Sequence, residues 1–257
     1  MNLNRFKILL LFANLPMEPL MPIGIASLAT VLKKYGYNVE LFDTTLYPDT
    51  SHNDQKDRIL SKQIKSADYA CYGVQPKTTD MLDDFKKYVE NFKPNLIAVS
   101  CVECTYTLSL KLLNQIKGKK IPTIMGGVFA TFSPEYILQN NLIDMICIGE
   151  GEDAILHAVK NLSQNISLEN IPNIWIKNKT GVHPPTSYKL MDLAKLPIPE
   201  FNVFAPERIY RSMDGNVYRM IPVEISRGCP YQCTYCSAPA YRNKFNSSGK
   251  WLRFKSI

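Results

Sequence analysis

The sequence predicts an α/β fold built on a doubly wound parallel sheet, and three observations carry this prediction. Short, nearly continuous apolar runs alternate with amphipathic segments through the first 160 residues, as expected for buried parallel strands joined by helices. Helix-ending residues stand between these segments, as at Gly36, Pro94, Gly118 and Pro122. The composition, 46% apolar and 21% charged, is ordinary for a globular protein, which excludes collagen, coiled coil and general disorder. The expected sheet is therefore Rossmann-like.

The apolar runs predict six strands, and the amphipathic segments predict four helices between and after them. The strand candidates are residues 7–13, 38–42, 68–74, 96–101, 121–125 and 143–148. The helical stripes are Ile23, Ala26, Ala29 and Leu32; Leu82, Phe85, Val89 and Phe92; Leu108, Leu112 and Ile116; and Ile155, Ala158, Val159 and Leu162.

Ligands of such sheets bind at the loops that leave the carboxyl ends of the strands, and this edge is where we expect a site. The loops concerned are Asn14 to Pro22, Asp43 to Thr50, Gln75 to Thr79, Ser100 to Tyr106, Gly126 to Ser133 and Gly149 to Asp153.

The periodicity weakens beyond Leu162. Residues 166–217 are predicted to be a linker that carries a small hairpin near Ile174 to Ile176. A further unit is predicted for residues 218–257, with a strand at Ile221 to Ser226 and an irregular loop from Arg227 to Ala240. No internal repeat is found.

Charge, hydropathy and cysteine content limit the binding partners and the compartment that the sequence predicts. The net charge is +7, and the segment from Ala205 onward holds nine basic residues against three acidic ones. No block of basic residues or stacked aromatics indicates nucleic-acid binding. The apolar runs are too short to span a bilayer or to act as a secretory signal. An odd number of cysteines, seven, fits a reducing compartment, so a cytoplasmic protein is expected.

Three cysteines, Cys229, Cys233 and Cys236, follow a predicted strand on one short loop. Three thiolates can hold three corners of an iron-sulfur cubane and leave the fourth iron open to another ligand. Gly228 allows a tight loop entry, and Pro230 restricts the path of the loop. A structural zinc site is the alternative, but it normally takes four protein ligands, and no fourth Cys or His follows.

The segment Ser226 to Cys236, Ser-Arg-Gly-Cys-Pro-Tyr-Gln-Cys-Thr-Tyr-Cys, resembles the cluster motif of radical S-adenosylmethionine enzymes. The resemblance implies that Cys229, Cys233 and Cys236 bind a [4Fe-4S] cluster whose open iron chelates S-adenosylmethionine. It also implies that Tyr235 packs against the adenine, and that one-electron reduction yields a 5'-deoxyadenosyl radical. The family's later motifs have no counterpart here, so the catalytic barrel is expected to be truncated and the chain alone to be inactive.

A second resemblance covers roughly residues 5–165 and is to the cobalamin-binding domain that precedes the radical domain in one subgroup of these enzymes. It is carried by Pro22 to Asp43, by Pro94 to Ser100, by the double-glycine loop Gly126 to Glu135, and by Gly149-Glu-Gly-Glu152. Adjacent glycines after a buried strand let a bulky ligand approach the backbone. The implied cobalamin contacts are Ser100, Gly126, Gly127 and Gly149.

The first loop departs from the cobalt-ligating pattern of mutases, Asp-x-His-x-x-Gly, because residues 14–22 contain no histidine. The resemblance therefore implies cobalamin without a histidine lower ligand. A domain that has lost the cofactor and serves in docking stays open as an alternative. The resemblance to methylthiotransferases is poorer, because Cys71, Cys101 and Cys104 do not match the expected trio.

The other cysteines and the acids of Gly149 to Asp153 have structural interpretations. Cys101 and Cys104 could form a redox pair, but a buried strand end and a helix start are the preferred interpretation. Cys71 and Cys147 are expected to pack in the core. His157 is expected to be half-buried or at the surface rather than a ligand. Glu150, Glu152 and Asp153 suit the N-terminal turn of a helix.

Together these patterns predict a cobalamin-dependent radical S-adenosylmethionine enzyme, with methyl transfer to an unactivated carbon as its reaction. The expected domains are a cobalamin-binding-like domain at 1–165, the linker at 166–217, and the start of a radical barrel, a partial TIM barrel, at 218–257. A small-molecule substrate and a one-electron reductant such as ferredoxin or flavodoxin are the expected partners. A non-catalytic cobalamin-binding or docking module, and a methylthiotransferase or ring-forming radical enzyme, are the alternatives.

Overall fold

The structure, a computed structural model, describes residues 6–17, 20–48, 54–245 and 250–255. Its main sheet has seven strands in the order β2-β1-β3-β4-β5-β6-β7. They are β1 (Lys7–Phe12), β2 (Asn38–Asp43), β3 (Leu96–Ser100), β4 (Thr123–Gly126), β5 (Met145–Cys147), β6 (Ile174–Asn178) and β7 (Gly181–His183). The first five are parallel, so the predicted doubly wound Rossmann-like sheet is confirmed.

Helices cover both faces of this sheet. They are α1 (Ile23–Lys34), α2 (Asp54–Leu60), α3 (Met81–Phe92), α4 (Glu103–Asn114), α5 (Val128–Phe132), α6 (Pro134–Leu138) and α7 (Glu152–Gln164). Helices α1 and α7 bury their apolar stripes in one core cluster, which includes Ile25 and Val159. Helices α3, α4 and α6 bury theirs in the other, around Phe85 and Leu112. Apolar burial on both faces is what the continuous strand sequences require. No described helix is long and apolar enough to cross a membrane.

The strand predicted at residues 68–74 is wrong. Residues Ala70–Tyr72 form a 3₁₀ turn instead. Gly73 follows with a φ of +77°, a left-handed conformation that ends any extended run. Only Val74 of this run is buried. Cys71, for which a core position was expected, is exposed.

The hairpin predicted within the linker forms, but it belongs to the main sheet. Strand β6 pairs antiparallel with β5, with Trp175 opposite Ile146, and β7 pairs with β6. The buried face of β6, including Ile174, extends the core that α7 covers. A second hairpin, β8 (Tyr210–Met213) with β9 (Asn216–Arg219), lies outside that sheet.

The predicted strand Ile221 to Ser226 is also wrong over most of its length. Ile221, Val223 and Ile225 are exposed and unpaired in any sheet of the described chain. Only β10 (Ser226–Arg227) pairs, with β11 (Arg253–Phe254). The alternating apolar pattern is that of a strand, but its contact with a neighbouring segment is confined to its end, where the Lys255 amide donates to the Ile225 carbonyl at 3.0 Å.

The C-terminal segment packs on the carboxyl edge of the main sheet. The end of the predicted Cys-rich loop forms α8 (Ala238–Lys244). The residue that follows, Phe245, is 1% exposed and belongs to the core of the sheet. The cysteine loop is thereby held against the edge where ligand-binding loops emerge.

Candidate cofactor and cluster site

The loops at the carboxyl edge of the sheet surround one cavity of about 490 Å³. Ser100, Gly126, Gly127 and Gly149 line it, so the structure brings together four of the residues predicted to contact a cofactor. The first turn of α1 contributes another wall, at Gly24 and Ile25. The cavity lies within the size range of small-molecule and cofactor pockets.

Gly126, which ends β4, and Gly127, which follows it, differ in what their missing side chains allow. A Cβ on Gly127 would lie 2.3 Å from the carbonyl oxygen of Cys101, and the φ of Gly127 is +105°. A Cβ on Gly126 would meet only Cys147, at 3.6 Å. Gly127 is therefore needed for the close approach of two chain segments, whereas Gly126 leaves room at the cavity wall.

Gly149 leaves space that another part of the chain fills. A Cβ there would lie 2.3 Å from Cζ of Phe245 and 2.8 Å from the hydroxyl oxygen of Tyr241. The rings of Tyr241 and Phe245 stack with centroids 5.0 Å apart. Their packing, rather than a direct ligand contact, accounts for the glycine at this position.

A second feature of the cavity is a group of ion pairs between the carboxyl edge of the sheet and residues 224–255, which contain the three loop cysteines and are called the cysteine segment below. Arg227 Nη2 lies 2.6 Å from Glu152 Oε1, and Arg227 Nε lies 3.0 Å from Glu224 Oε1. Ser27 donates to Glu152 Oε1 at 2.8 Å. The Glu152 side chain is 4% exposed, so its charge is almost fully enclosed by these donors.

Glu150 makes a similar contact with Arg253, which lies in β11, the strand that pairs with β10. Its two carboxylate oxygens lie 2.7 and 2.8 Å from the terminal nitrogens of Arg253. The backbone amide of Met191 also donates to this carboxylate, and Arg253 donates to the Met191 carbonyl at 2.7 Å. Both acids of the Gly149-to-Glu152 segment therefore contact basic residues of the C-terminal segment.

Burial and charge oppose each other in the Glu152–Arg227 pair. Burial by itself would raise the pKa of Glu152, but the hydrogen bond and charge of Arg227 lower it below its ordinary value. Burial likewise works to lower the pKa of Arg227, and the hydrogen bond and charge of Glu152 raise it. Both groups are therefore charged at neutral pH.

The structure places the three loop cysteines on one irregular turn between β10 and α8. Cys229 and Cys233 are half-buried, Cys236 is exposed, and none forms a disulfide. Trp251 Nε1 donates to the Cys229 carbonyl at 3.0 Å. Within the described ranges, no three Cys, His, Asp or Glu side chains are grouped closely enough to hold a metal ion. The donor chemistry suits a cluster, and convergence of the thiols requires the loop to rearrange.

Tyr235 was predicted to contact a cofactor, but the structure places it away from the cavity. Its side chain is 91% exposed, and it does not line the cavity. The described histidines, His157 and His183, do not line it either, and His52 lies outside the described residues. Two pieces of the predicted ligand loops also lie outside them, residues 18–19 of the first loop and residues 49–50 of the second.

The remaining cysteines fit a structural role. Cys101 is buried and Cys104 is exposed at the start of α4. Burial raises the pKa of the Cys101 thiol to about 11, whereas a redox-active thiol normally has a lowered one. Cys147 is buried and lines the cavity, and burial raises the pKa of its thiol to about 12.

The sequence interpretation missed the roles of Glu150, Glu152, Arg227, Arg253 and Trp251. Two signals were present: the acids lie in the Gly-Glu-Gly-Glu segment, and Arg227 lies directly before the Gly-Cys of the cysteine loop. Nothing local predicts that these two segments meet, because they are separated by 75 positions.

A Rossmann-like sheet with a ligand-sized cavity, walled on one side by residues that flank the three-cysteine loop, is an arrangement typical of ligand-binding proteins of the α/β class. Comparison with known proteins makes this more specific. The B12-binding domain family matches residues 58–159. The cytidylyl-2-hydroxyethylphosphonate methyltransferase of Streptomyces wedmorensis is 24% identical over 92% of the chain, and 46% of that protein is covered. An uncharacterized methyltransferase of Pyrococcus horikoshii is 27% identical over 84% of the chain and 40% of its own length.

Solved structures share the fold. OxsB, a cobalamin-dependent S-adenosylmethionine radical enzyme, aligns with a TM-score of 0.64 and 18% identity over 90% of this chain and 28% of its own. The radical methyltransferase TsrM from Kitasatospora setae aligns with a TM-score of 0.60 and 17% identity over 97% and 43%. Residues 58–159 thus match the B12-binding domain family, and the chain is similar in sequence to methyltransferases and in fold to cobalamin-dependent radical S-adenosylmethionine enzymes. It spans less than half the length of the two curated relatives described above.

Proposed function

We propose that the chain is part of a cobalamin-dependent radical S-adenosylmethionine enzyme that transfers a methyl group to an unactivated carbon of a small molecule. One observation carries the proposal. The cavity at the carboxyl edge of the cobalamin-type sheet is walled on its other side by Arg227, Gly228 and Trp251 of the cysteine segment. Two cofactors bound at these places would be neighbours, as a methyl transfer that uses both requires.

The cavity suits part of cobalamin rather than the whole cofactor. Its volume of about 490 Å³ is of the order that a nucleotide-sized tail occupies, and the corrin would lie outside it at the sheet edge. Gly126 and Ser100 would contact the tail, while Gly127 and Gly149 would shape the wall. The proposed cobalamin has no histidine lower ligand, as the histidine-free sequence of residues 14–22 implies.

Cys229, Cys233 and Cys236 would hold a [4Fe-4S] cluster, with Tyr235 beside the adenine of S-adenosylmethionine. When bound, cluster and S-adenosylmethionine supply radical chemistry, and cobalamin supplies the methyl group. The chain's own part is to bind and orient them. Trp251 fixes the Cys229 carbonyl, and the exposure of Cys236 and Tyr235 leaves them accessible to ligands.

The proposal extends to the organisation and setting of the protein. Residues 1–165 would form the cobalamin domain, 166–217 the connection and 218–257 the beginning of the radical domain. A cytoplasmic location and a one-electron donor such as ferredoxin or flavodoxin are part of the same proposal, because the cluster must be reduced before each reaction.

The test is an anaerobic titration of the full chain with hydroxocobalamin, followed by desalting and a visible spectrum. We expect corrinoid to be retained at a ratio near one per chain. Gly126→Val should lower retention at least about tenfold by filling the cavity wall. Gly118→Val is the matched control, because a Cβ at Gly118 meets nothing within 4 Å. A well-folded chain that retains no corrinoid would refute the cobalamin assignment.

A non-catalytic cobalamin-binding module is the second candidate, and one observation favours it. The three loop cysteines do not converge in the described structure. Anaerobic reconstitution with iron and sulfide separates the two candidates. About four irons per chain with a cluster absorption spectrum support the radical enzyme, and corrinoid binding without iron supports the module.

A further inference from the structure

We propose that Glu150 and Glu152 are positioning residues that hold the cysteine loop at the mouth of the cofactor cavity, through their ion pairs with Arg253 and Arg227. The proposal rests on the proposed function, since it concerns the placement of the cluster ligands relative to the cobalamin site. It assigns a task to the acidic pair that the fold of the sheet by itself does not require.

The contacts of Glu152 connect three separate parts of the chain. The residue begins α7, Ser27 of α1 donates to it at 2.8 Å, and Arg227 lies 2.6 Å away. Arg227 is two positions before Cys229. A buried, charge-assisted pair with two bonded nitrogens has a narrow geometry, so it fixes where the loop leaves β10.

Glu150 fixes the other end in the same manner. Its contact, Arg253, lies in β11, two positions after Trp251, whose indole bonds the Cys229 carbonyl. Arg227 and Arg253 are direct partners in the β10–β11 ladder. The two glutamates therefore hold both strands of the small ribbon from which the cysteine loop emerges.

Charge balance explains why two acids are needed. Around the ribbon lie three carboxylates, Glu150, Glu152 and Glu224, and three cations, Arg227, Arg253 and Lys255. The side chains of the two arginines are 13% and 14% exposed. A guanidinium this enclosed is costly when it loses its carboxylate, so removal of one acid should release the ribbon and leave the apolar sheet folded.

Glu152→Gln tests this, with hydrogen–deuterium exchange of the anaerobic full chain as the main measurement. We expect amide exchange in residues 224–236 to become at least about tenfold faster, and exchange in β1 and β3 to stay unchanged. Reconstituted iron should fall by about half or more, because ligand placement limits assembly. Glu103→Gln, an exposed acid in the first turn of α4, is the matched control and should change none of these.

Glu150→Gln is the second variant, and it carries the test if Glu152→Gln does not fold. It should increase exchange in residues 251–255 and lower iron content in the same way. Slower or unchanged exchange around the cysteine loop in both variants would overturn the proposal. Faster exchange throughout the sheet would also overturn it, because the acids would then support the whole fold. If the wild-type chain binds neither cofactor, the proposed function fails, while the exchange contrast still decides whether the acids hold the loop.

Discussion

The sheet and the cysteine segment are stabilised in different ways. The parallel strands β1 and β3 are almost entirely buried and apolar, and the hydrophobic effect holds them. The cysteine segment has one deeply buried apolar anchor, Phe245, with the Tyr241 ring stacked on it. Ion pairs and a two-residue ribbon add to this packing. The comparison indicates that the segment can open while the sheet stays folded, which places a more weakly anchored part of the described chain next to the proposed chemistry.

The largest expected effect on the stability of the cysteine segment relative to the sheet comes from removing the Phe245 side chain. Phe245→Ala should cost about 3–5 kcal/mol of packing free energy. We expect limited proteolysis between residues 221 and 255 to become at least about a hundredfold faster, on the order expected for that loss. The midpoint of sheet unfolding should change little. Phe254→Ala is the control, because that ring lies in the same segment and is 63% exposed. Equal effects of both substitutions would contradict the anchor.

Gly127→Ala tests the sheet instead. The new Cβ would meet the backbone of Cys101 at 2.3 Å in a left-handed conformation. We expect the free energy of unfolding to fall by about 1–3 kcal/mol, measured by chemical denaturation of the main transition. Gly118→Ala should have no comparable effect. A Gly127→Ala protein with wild-type stability would show that the ends of β3 and β4 can separate freely.

Acid should weaken the attachment of the cysteine segment without unfolding the sheet. Because Arg227 lowers the pKa of Glu152 below that of an unfolded glutamate, the pair's contribution is complete above a pH of about 4.3. It is lost as the pH falls below that value through the lowered pKa. Proteolysis by pepsin, followed from about pH 5 to about pH 2, should show the wild-type segment opening toward acid. Glu152→Gln should be open already at the upper end of this range and show less change. Parallel profiles for the two proteins would contradict this assignment.

The smallest expected effect separates Cys101 from Cys104. Burial raises the pKa of Cys101 to about 11, whereas Cys104 is exposed. Iodoacetamide at a pH of about 8 should therefore modify Cys104 and leave Cys101 unreacted, as peptide mass spectrometry would show. A disulfide between them on mild oxidation would support a redox pair instead. Cys104→Ser should leave cofactor retention unchanged.

Periodicity in the sequence was sufficient to predict the five parallel strands and the helices α1, α3, α4 and α7, because each of these elements buries a stripe that is visible locally. It did not predict the shorter helices α2, α5 and α6. It failed at residues 68–74, where an apolar run ends in a left-handed Gly73. It failed again at Ile221 to Ile225, where a strand pattern has no described partner strand. The first failure has a local cause in the conformation of Gly73, and the second arises because pairing depends on neighbours that are distant in the sequence.

The site was predicted only in part, because some of its contacts join segments that are distant in the sequence. Position at the carboxyl edge of the strands was enough to bring Ser100, Gly126 and Gly149 to one cavity. The packing of Phe245 into the space at Gly149 could not be inferred from the glycine. The pairing of Glu152 with Arg227 also depends on how the C-terminal segment returns to the sheet. The cluster, Tyr235 and domain assignments stay predictions.

The hydrogen bond from Trp251 to the Cys229 carbonyl gives the chain an optical reporter beside its cysteine loop. The other tryptophan, Trp175, lies in β6 and bonds the Tyr188 hydroxyl. In Trp175→Phe, all indole emission would come from Trp251. Iron bound at the loop would quench that emission, so the filling of the loop could be followed in real time by fluorescence.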